Sequence, residues 1–417
     1  FRGHWLAALE AGTIHEAGSR TPWIYQYTSR AKNIFKAVAD HAPSSQEATK
    51  REATLLFADL SRKGSTAEEI EAREYYQKLD SGYVGRGDAF KGKALLAHGQ
   101  MFLEGEGGDA DYDAALSKLN DARRFTNVKE KASEEWGRAR FEKARDLLYK
   151  KGSERHGQKI WDWVSEPEEV ITLYPPAKVI QGWLWAEERA PDQKGRHISI
   201  EDIGKAIRLS KEVLADPLAQ HNKTALAMSH HILGYRHKEA ITVHFSQQGK
   251  GHYFSFSVSD AKYVNLTKAL HHNLEASRLN HDLSKLWFGE LLWEAYKGSS
   301  DKALIRRVLM VAEWHVCFVG HKSKDEDLKE KAVVIATKLN EAFTANGFKV
   351  PSWFDFPDAE AVDALVAGAQ EAKNKQAAEA QKRQAVINMA EMCGEDLNDK
   401  AVLARHAKAM CFDDLFT

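Results

Sequence analysis

Apolar residues along this chain recur mostly at three- and four-residue intervals, the period of an α-helix with one buried face. Leu55, Leu56, Ala58 and Leu60 fit one such helix. A second runs from Thr66 to Leu79, with Ala67, Ile70 and Tyr75 among its apolar or aromatic positions. The spacing predicts further helices near 88–104, 110–125, 128–149, 177–189, 200–215 and 223–236. It continues over 260–279, 283–297, 301–319 and 326–346. Pro43, Pro167, Pro175, Pro176, Pro191, Pro217, Pro351 and Pro357 fall where these helices should end. Short turns between successive helices predict antiparallel helix pairs. The expected fold is all-α, an α-solenoid of such pairs.

Two regions break the pattern. Over 241–258, β-branched and aromatic residues alternate with polar ones around Gly249 and Gly251, which predicts a small β-hairpin or an extended loop. From Asp358 to Met392 the chain is rich in alanine and charge, with strong helix propensity and few core residues. It reads as a solvated helix or a partner-binding arm. These shifts suggest an N-terminal extension over 1–43, a helical-repeat domain over 44–349, and a linker with charged C-terminal helices over 350–417.

The most specific stretch is Gly99, Phe102, Gly105 and Gly107, followed by Asp111 and Ala115. Small residues at Gly99 and Ala115 let two helices approach, and Phe102 fills the space between them. Gly105 and Gly107 suit a helix stop that needs positive φ. With Ala94 and Ala122, these positions resemble the Sel-one-like repeat, a relative of the tetratricopeptide repeat. The resemblance covers about 30 residues, by the repeat length usual for such units. His98, Gly108 and Lys118 depart from it, standing where the family has leucine, a small aliphatic and an aromatic residue. What the resemblance implies is a superhelix of helix pairs whose groove holds peptides or protein surfaces.

Charge then narrows the function. The chain has 59 basic and 60 acidic residues among 417. A general nucleic-acid binder carries a basic excess, so RNA is a second choice that needs a local basic stripe. No apolar run is long enough to span a bilayer. The three cysteines, Cys317, Cys393 and Cys411, cannot all pair and show no zinc-type spacing. They favour a reducing compartment, cytoplasm or an organelle matrix such as the mitochondrion, over a lumen. Asn222-Lys-Thr224 and Asn265-Leu-Thr267 match the glycosylation pattern, a common chance triplet. The chain opens on Phe1, so a leading segment, with any targeting peptide, is expected to be missing.

Three constellations invite chemistry. Gly87 to Ala94 approaches a phosphate-binding loop through Gly92 and Lys93, but Ala94 stands where a magnesium-binding hydroxyl is needed. Nine of the 18 histidines lie between His221 and His281. His230, His237 and His244 share a helical face, yet neighbours sit about 10 Å apart, too far for one metal. His272 and Glu275 can share a metal only if a third ligand comes from elsewhere, and His281-Asp282 with His271 or His272 resembles the pair of helical metal phosphohydrolases. Trp161/Trp163 and Trp183/Trp185 are paired at i, i+2 and point about 200° apart on a helix. One of each pair is free to pack inside while the other reaches a partner. The leading expectation is a non-enzymatic scaffold or adaptor in a larger assembly, with no cofactor and no metal. An RNA-binding helical repeat comes second. A metal-dependent hydrolase built on His271, His272, His281 and Asp282 comes third.

Overall fold

Side-chain caps mark where the helices begin. Asp88, Asp111, Asn265, Asp301 and Asp325 each stand in extended backbone and accept backbone N–H groups from the first helical turn. The structure is a computed structural model. It describes residues 4–17, 28–81, 88–149, 157–165, 169–187, 190, 200–242, 265–350, 358–392 and 400–410. Among the described residues the regular structure is entirely helical. The chain divides into two compact units, residues 1–196 and 197–417.

The first unit holds α1 (Trp5–Ala17), α2 (Thr28–His41), α3 (Glu47–Ser61), α4 (Thr66–Ser81), α5 (Ala89–Glu104), α6 (Tyr112–Ala122), α7 (Lys129–Tyr149), α8 (Gly157–Ser165), α9 (Glu169–Leu173) and α10 (Lys178–Ala186). From α1 to α8 each helix packs on the next, and α1/α3, α3/α5 and α5/α7 also touch. That is the nearest-neighbour packing of a helical-repeat array. The region predicted as an N-terminal extension is part of this body. Ala31, Phe35, Val38 and Ala39 share one core with Ala53, Phe57, Ala58 and Tyr76. Pro43 breaks the helix but does not end the packing.

The second unit holds α11 (Ile200–Ala215), α12 (Lys223–Thr242), α13 (Leu266–Arg278), α14 (Asp282–Tyr296), α15 (Lys302–Lys322), α16 (Glu326–Ala345), α17 (Ala359–Met392) and α18 (Lys400–Ala409). Successive packing runs from α11 to α16, and α17 then returns to lie against α13 and α14. Val362, Leu365, Val366 and Ala369 of α17 enter the core of Leu270, Leu274, Phe288 and Leu292. The charged C-terminal region is therefore partly core and partly solvated. Its far end makes a small separate cluster in which Val386 and Ala390 meet Leu403 and Ala407 of α18.

The predicted β-hairpin is corrected at its start. Ile241 and Thr242 close α12 as helix, because the helical register set by Ala225, Met228 and Ile232 carries through them. Residues 243–258 of that prediction lie outside the described residues, as does 351–357 of the predicted linker.

Candidate functional site

The Gly99 unit is a close-packed hairpin of α5 and α6. A Cβ on Gly99 would stand 2.6 Å from Leu119 Cγ, so only hydrogen leaves room for α6 at this crossing. Ala115, Leu119 and Ala122 are buried on the facing side. Gly105 ends α5 with φ 74° and Gly107 follows with φ 72°, backbone that residues with a Cβ rarely adopt. The turn is tied back to α4, since Gly107 N–H donates to Glu69 Oε2 at 2.8 Å and Arg73 donates to the Met101 carbonyl at 3.2 Å. Arg73 also lies 4.7 Å from the Phe102 ring centroid. Asp111 then caps α6 through the N–H groups of Asp113 and Ala114.

Two departures from the repeat pattern meet in space. His98 Nδ1 lies 3.1 Å from Asp80 Oδ2, and Lys118 Nζ lies 2.6 Å from the same oxygen. His98 stacks on Phe102 with centroids 4.7 Å apart. Leucine and an aromatic at these positions would pack as apolar neighbours; here they are exchanged for an ion-paired network around a nearly buried carboxylate. The hydrogen bonds to His98 and Lys118 outweigh its burial and hold Asp80 below the usual carboxylate range.

Gly87 of the near-phosphate stretch lies outside the described residues, and the rest of it is the start of a helix. Asp88 caps α5, so Gly92, Lys93 and Ala94 lie within the helix. Gly92 is there for packing, since a Cβ would stand 2.7 Å from Phe125.

Five tryptophans of the first unit, Trp136, Trp161, Trp163, Trp183 and Trp185, lie on α7, α8 and α10. Trp183 and Trp185 are only 6% and 5% exposed, so neither is presented at the surface of its helix. Trp183 packs edge-on against Tyr149, and Trp185 packs edge-on against Trp161. Trp161 and Trp163 of α8 are half-buried. Trp163 belongs to a ladder of rings and cations. Arg123 lies 4.4 Å from the ring of Trp136, Arg140 lies 4.9 Å from the rings of both Trp136 and Trp163, and Lys143 lies 4.1 Å from Trp163. Each cation has a second partner. Arg123 pairs with Glu169 at 2.6 Å, Lys143 with Asp113, and Arg140 donates to the carbonyls of Trp163 and Asp162. Arg140 thereby satisfies carbonyls at the C-terminal end of α8, where a positive charge is favoured.

In the second unit the histidines meet across helices. His230 Nδ1 of α12 and His272 Nδ1 of α13 are 3.0 Å apart, and the rings of His237 and His271 flank His272. His231 contacts Ser284 Oγ at 2.8 Å, stacks on Trp287 and meets the His281 ring at a tilt. The residues suggested for a hydrolase have other partners. His281 caps α14 by accepting Ser284 N–H, Asp282 pairs with Lys285 at 3.1 Å, and Glu275 pairs with Arg278 at 2.6 Å. Among the described residues no three histidine, cysteine or carboxylate side chains are placed to hold one metal ion. Spacing along α12 hid this cluster, because its contacts run across helices and join residues more than 40 apart. The residue-type count over 221–281 was its only sequence signal.

No family model matches the sequence, and no curated protein matches it. Among solved structures, a protective antigen from uropathogenic Escherichia coli, described as displaying an SLR fold, is similar to it. That likeness has 14% identity and a TM-score of 0.35, over 99% of this chain and 85% of that one. No described helix is long and apolar enough to cross a membrane. The chain's own geometry gives two arrays of stacked helix pairs, with a close-packed glycine hairpin over residues 89–122 in the first.

Proposed function

We propose that this protein is a non-enzymatic helical-repeat scaffold that holds a protein partner, as one subunit of a larger assembly. The observation that carries the reading is the ladder at α6, α7 and α8. It sets half-buried Trp163 beside Arg140 and Lys143, with Arg123 on the neighbouring ring of Trp136, while half-buried Trp161, two residues earlier on the same helix, rests edge-on against Trp185. Tryptophan and arginine are the side chains most often responsible for binding energy at protein interfaces. The rings give a partner apolar area and their flanking cations a polar rim. Trp185 backs Trp161 edge-on, and Trp183 packs beside it against Tyr149.

A protein partner fits better than RNA. Phosphate binding draws on cations free to displace counterions. In this ladder Arg123 and Lys143 are each held by a carboxylate and Arg140 by carbonyls. The balanced net charge of the whole chain points the same way.

Gentle low-salt purification from the native source, with and without nuclease, tests the reading. A stoichiometric protein that survives nuclease is the expected result. Partners or RNA lost on nuclease treatment would move the function to RNA binding.

A further inference from the structure

The start of α14 carries an unusual cap. The turn from α13 is fixed by Asn280 in left-handed backbone at φ 66° and by the His281 N–H donating to the Ala276 carbonyl at 3.0 Å. That places the His281 ring over the first turn, where its Nδ1 accepts Ser284 N–H at 3.3 Å and meets Ser284 Oγ at 3.0 Å. An aspartate or asparagine cap accepts with an oxygen over the whole neutral range. An imidazole accepts only while Nδ1 is unprotonated. Protonated, His281 loses the bond and sets a positive charge on the positive end of the helix dipole.

The same constraint recurs one helix away. A 3.0 Å contact between His230 Nδ1 and His272 Nδ1 is a hydrogen bond only if one ring donates and the other accepts. Protonating both rings turns two N–H groups on one another. His237 and His271 beside His272 add further imidazoles to the same patch. Ser284, fully buried, links the two places by also contacting His231 of α12.

We propose that the junction of α12, α13 and α14 is an acid-sensitive latch, closed while these imidazoles are neutral and opened when His281 and the His230–His272 pair take up protons. The charged groups around it set its poise. Lys211 of α11 and the neighbouring histidines oppose a proton on His272, and Glu275 favours one on His230. Arg278 holds Glu275 and also Asp363 of α17. Asp282 favours a proton on His281, Lys285 opposes it, and Lys285 also bears on His315 of α15. α16 meets α14 through the apolar cluster of Leu286 and Leu339.

Burial, chiefly, lowers His281 to about 4 and His272 to about 3. The unfolded chain takes up these protons near pH 6.5. It therefore binds more protons than the folded state below that pH, and stability falls as pH drops from about 6.5 toward 4. Each such imidazole raises the unfolding equilibrium constant by up to about tenfold per pH unit in that window.

The test uses the full chain labelled with 5-fluorotryptophan. Trp287, which stacks on His231 and Tyr235, is the local reporter, and W287F assigns its fluorine resonance. We expect this resonance to hold steady down to about pH 5 and to shift reversibly as the pH falls through about 4. In the doubly substituted His281→Asn, His272→Gln chain, which keeps uncharged partners, the acid-driven rise in the unfolding constant should be at least about tenfold smaller. An identical pH dependence in the two chains would overturn the latch. Should the variant not fold, histidine NMR of the wild-type chain decides. His272 and His281 neutral below pH 5 in the folded protein supports the latch, and ordinary titration near 6.5 with the fold intact overturns it.

Discussion

Gly107 and Gly347 have nearly the same positive φ, 72° and 76°, but different surroundings. A Cβ on Gly347 meets nothing within 4 Å, whereas one on Gly107 would stand 2.9 Å from the backbone of Glu69 and Ile70. Gly347→Ala should cost about 1 kcal/mol, the left-handed penalty alone. Gly107→Ala should cost about 2–4 kcal/mol, because the approach of α4 adds overpacking to that penalty. Equal losses in urea unfolding would refute the packing role of the turn. The Asp80 network gives a second residue-level prediction. His98→Leu restores the repeat residue, yet it removes a partner from a buried carboxylate. It should destabilise by about 1–3 kcal/mol, and a stabilising effect in the same assay would show the network to be dispensable. Gly99, Gly105 and Asp111 were legible in the sequence because their roles are local. The meeting of His98 and Lys118 on Asp80 was not, because it depends on which faces of α4, α5 and α6 come together.

Most helices were legible as elements, since each buries one stripe at helical period. Their roles were less so. The long alanine-rich α17 has little contrast between faces, and its packing is decided by four apolar residues near its start. Leu365→Ala should cost about 2–5 kcal/mol as a core truncation, while Lys375→Ala in the exposed middle should change stability by under about 0.5 kcal/mol. Similar small effects at both positions in thermal unfolding would mean that α17 does not dock on α13 and α14. The same limit applies to α1 and α2. A proline-marked break at Pro43 looked like a boundary, but the apolar faces on either side share one core. The histidine spacing along α12 likewise pointed to a face of one helix, when the contacts that matter lie between helices.

At the scale of each unit, nearest-neighbour packing leaves the outer positions of the helices available for recognition. The ladder built on Trp136 and Trp163 is a place in the first unit where half-buried aromatic area and cations coincide. Protein, and not nucleic acid, is the ligand proposed for it. The direct measurement is quantitative mass spectrometry of proteins co-purifying with the wild-type chain and with Trp161→Ala and Trp163→Ala, nuclease-treated throughout, with thermal unfolding confirming that each variant is folded. Loss of an anchor residue typically weakens an interface by more than 1 kcal/mol. We expect a stoichiometric partner on the wild-type chain, reduced about tenfold or more on a folded tryptophan variant. A partner held equally by all three chains, or none that survives nuclease, would contradict it.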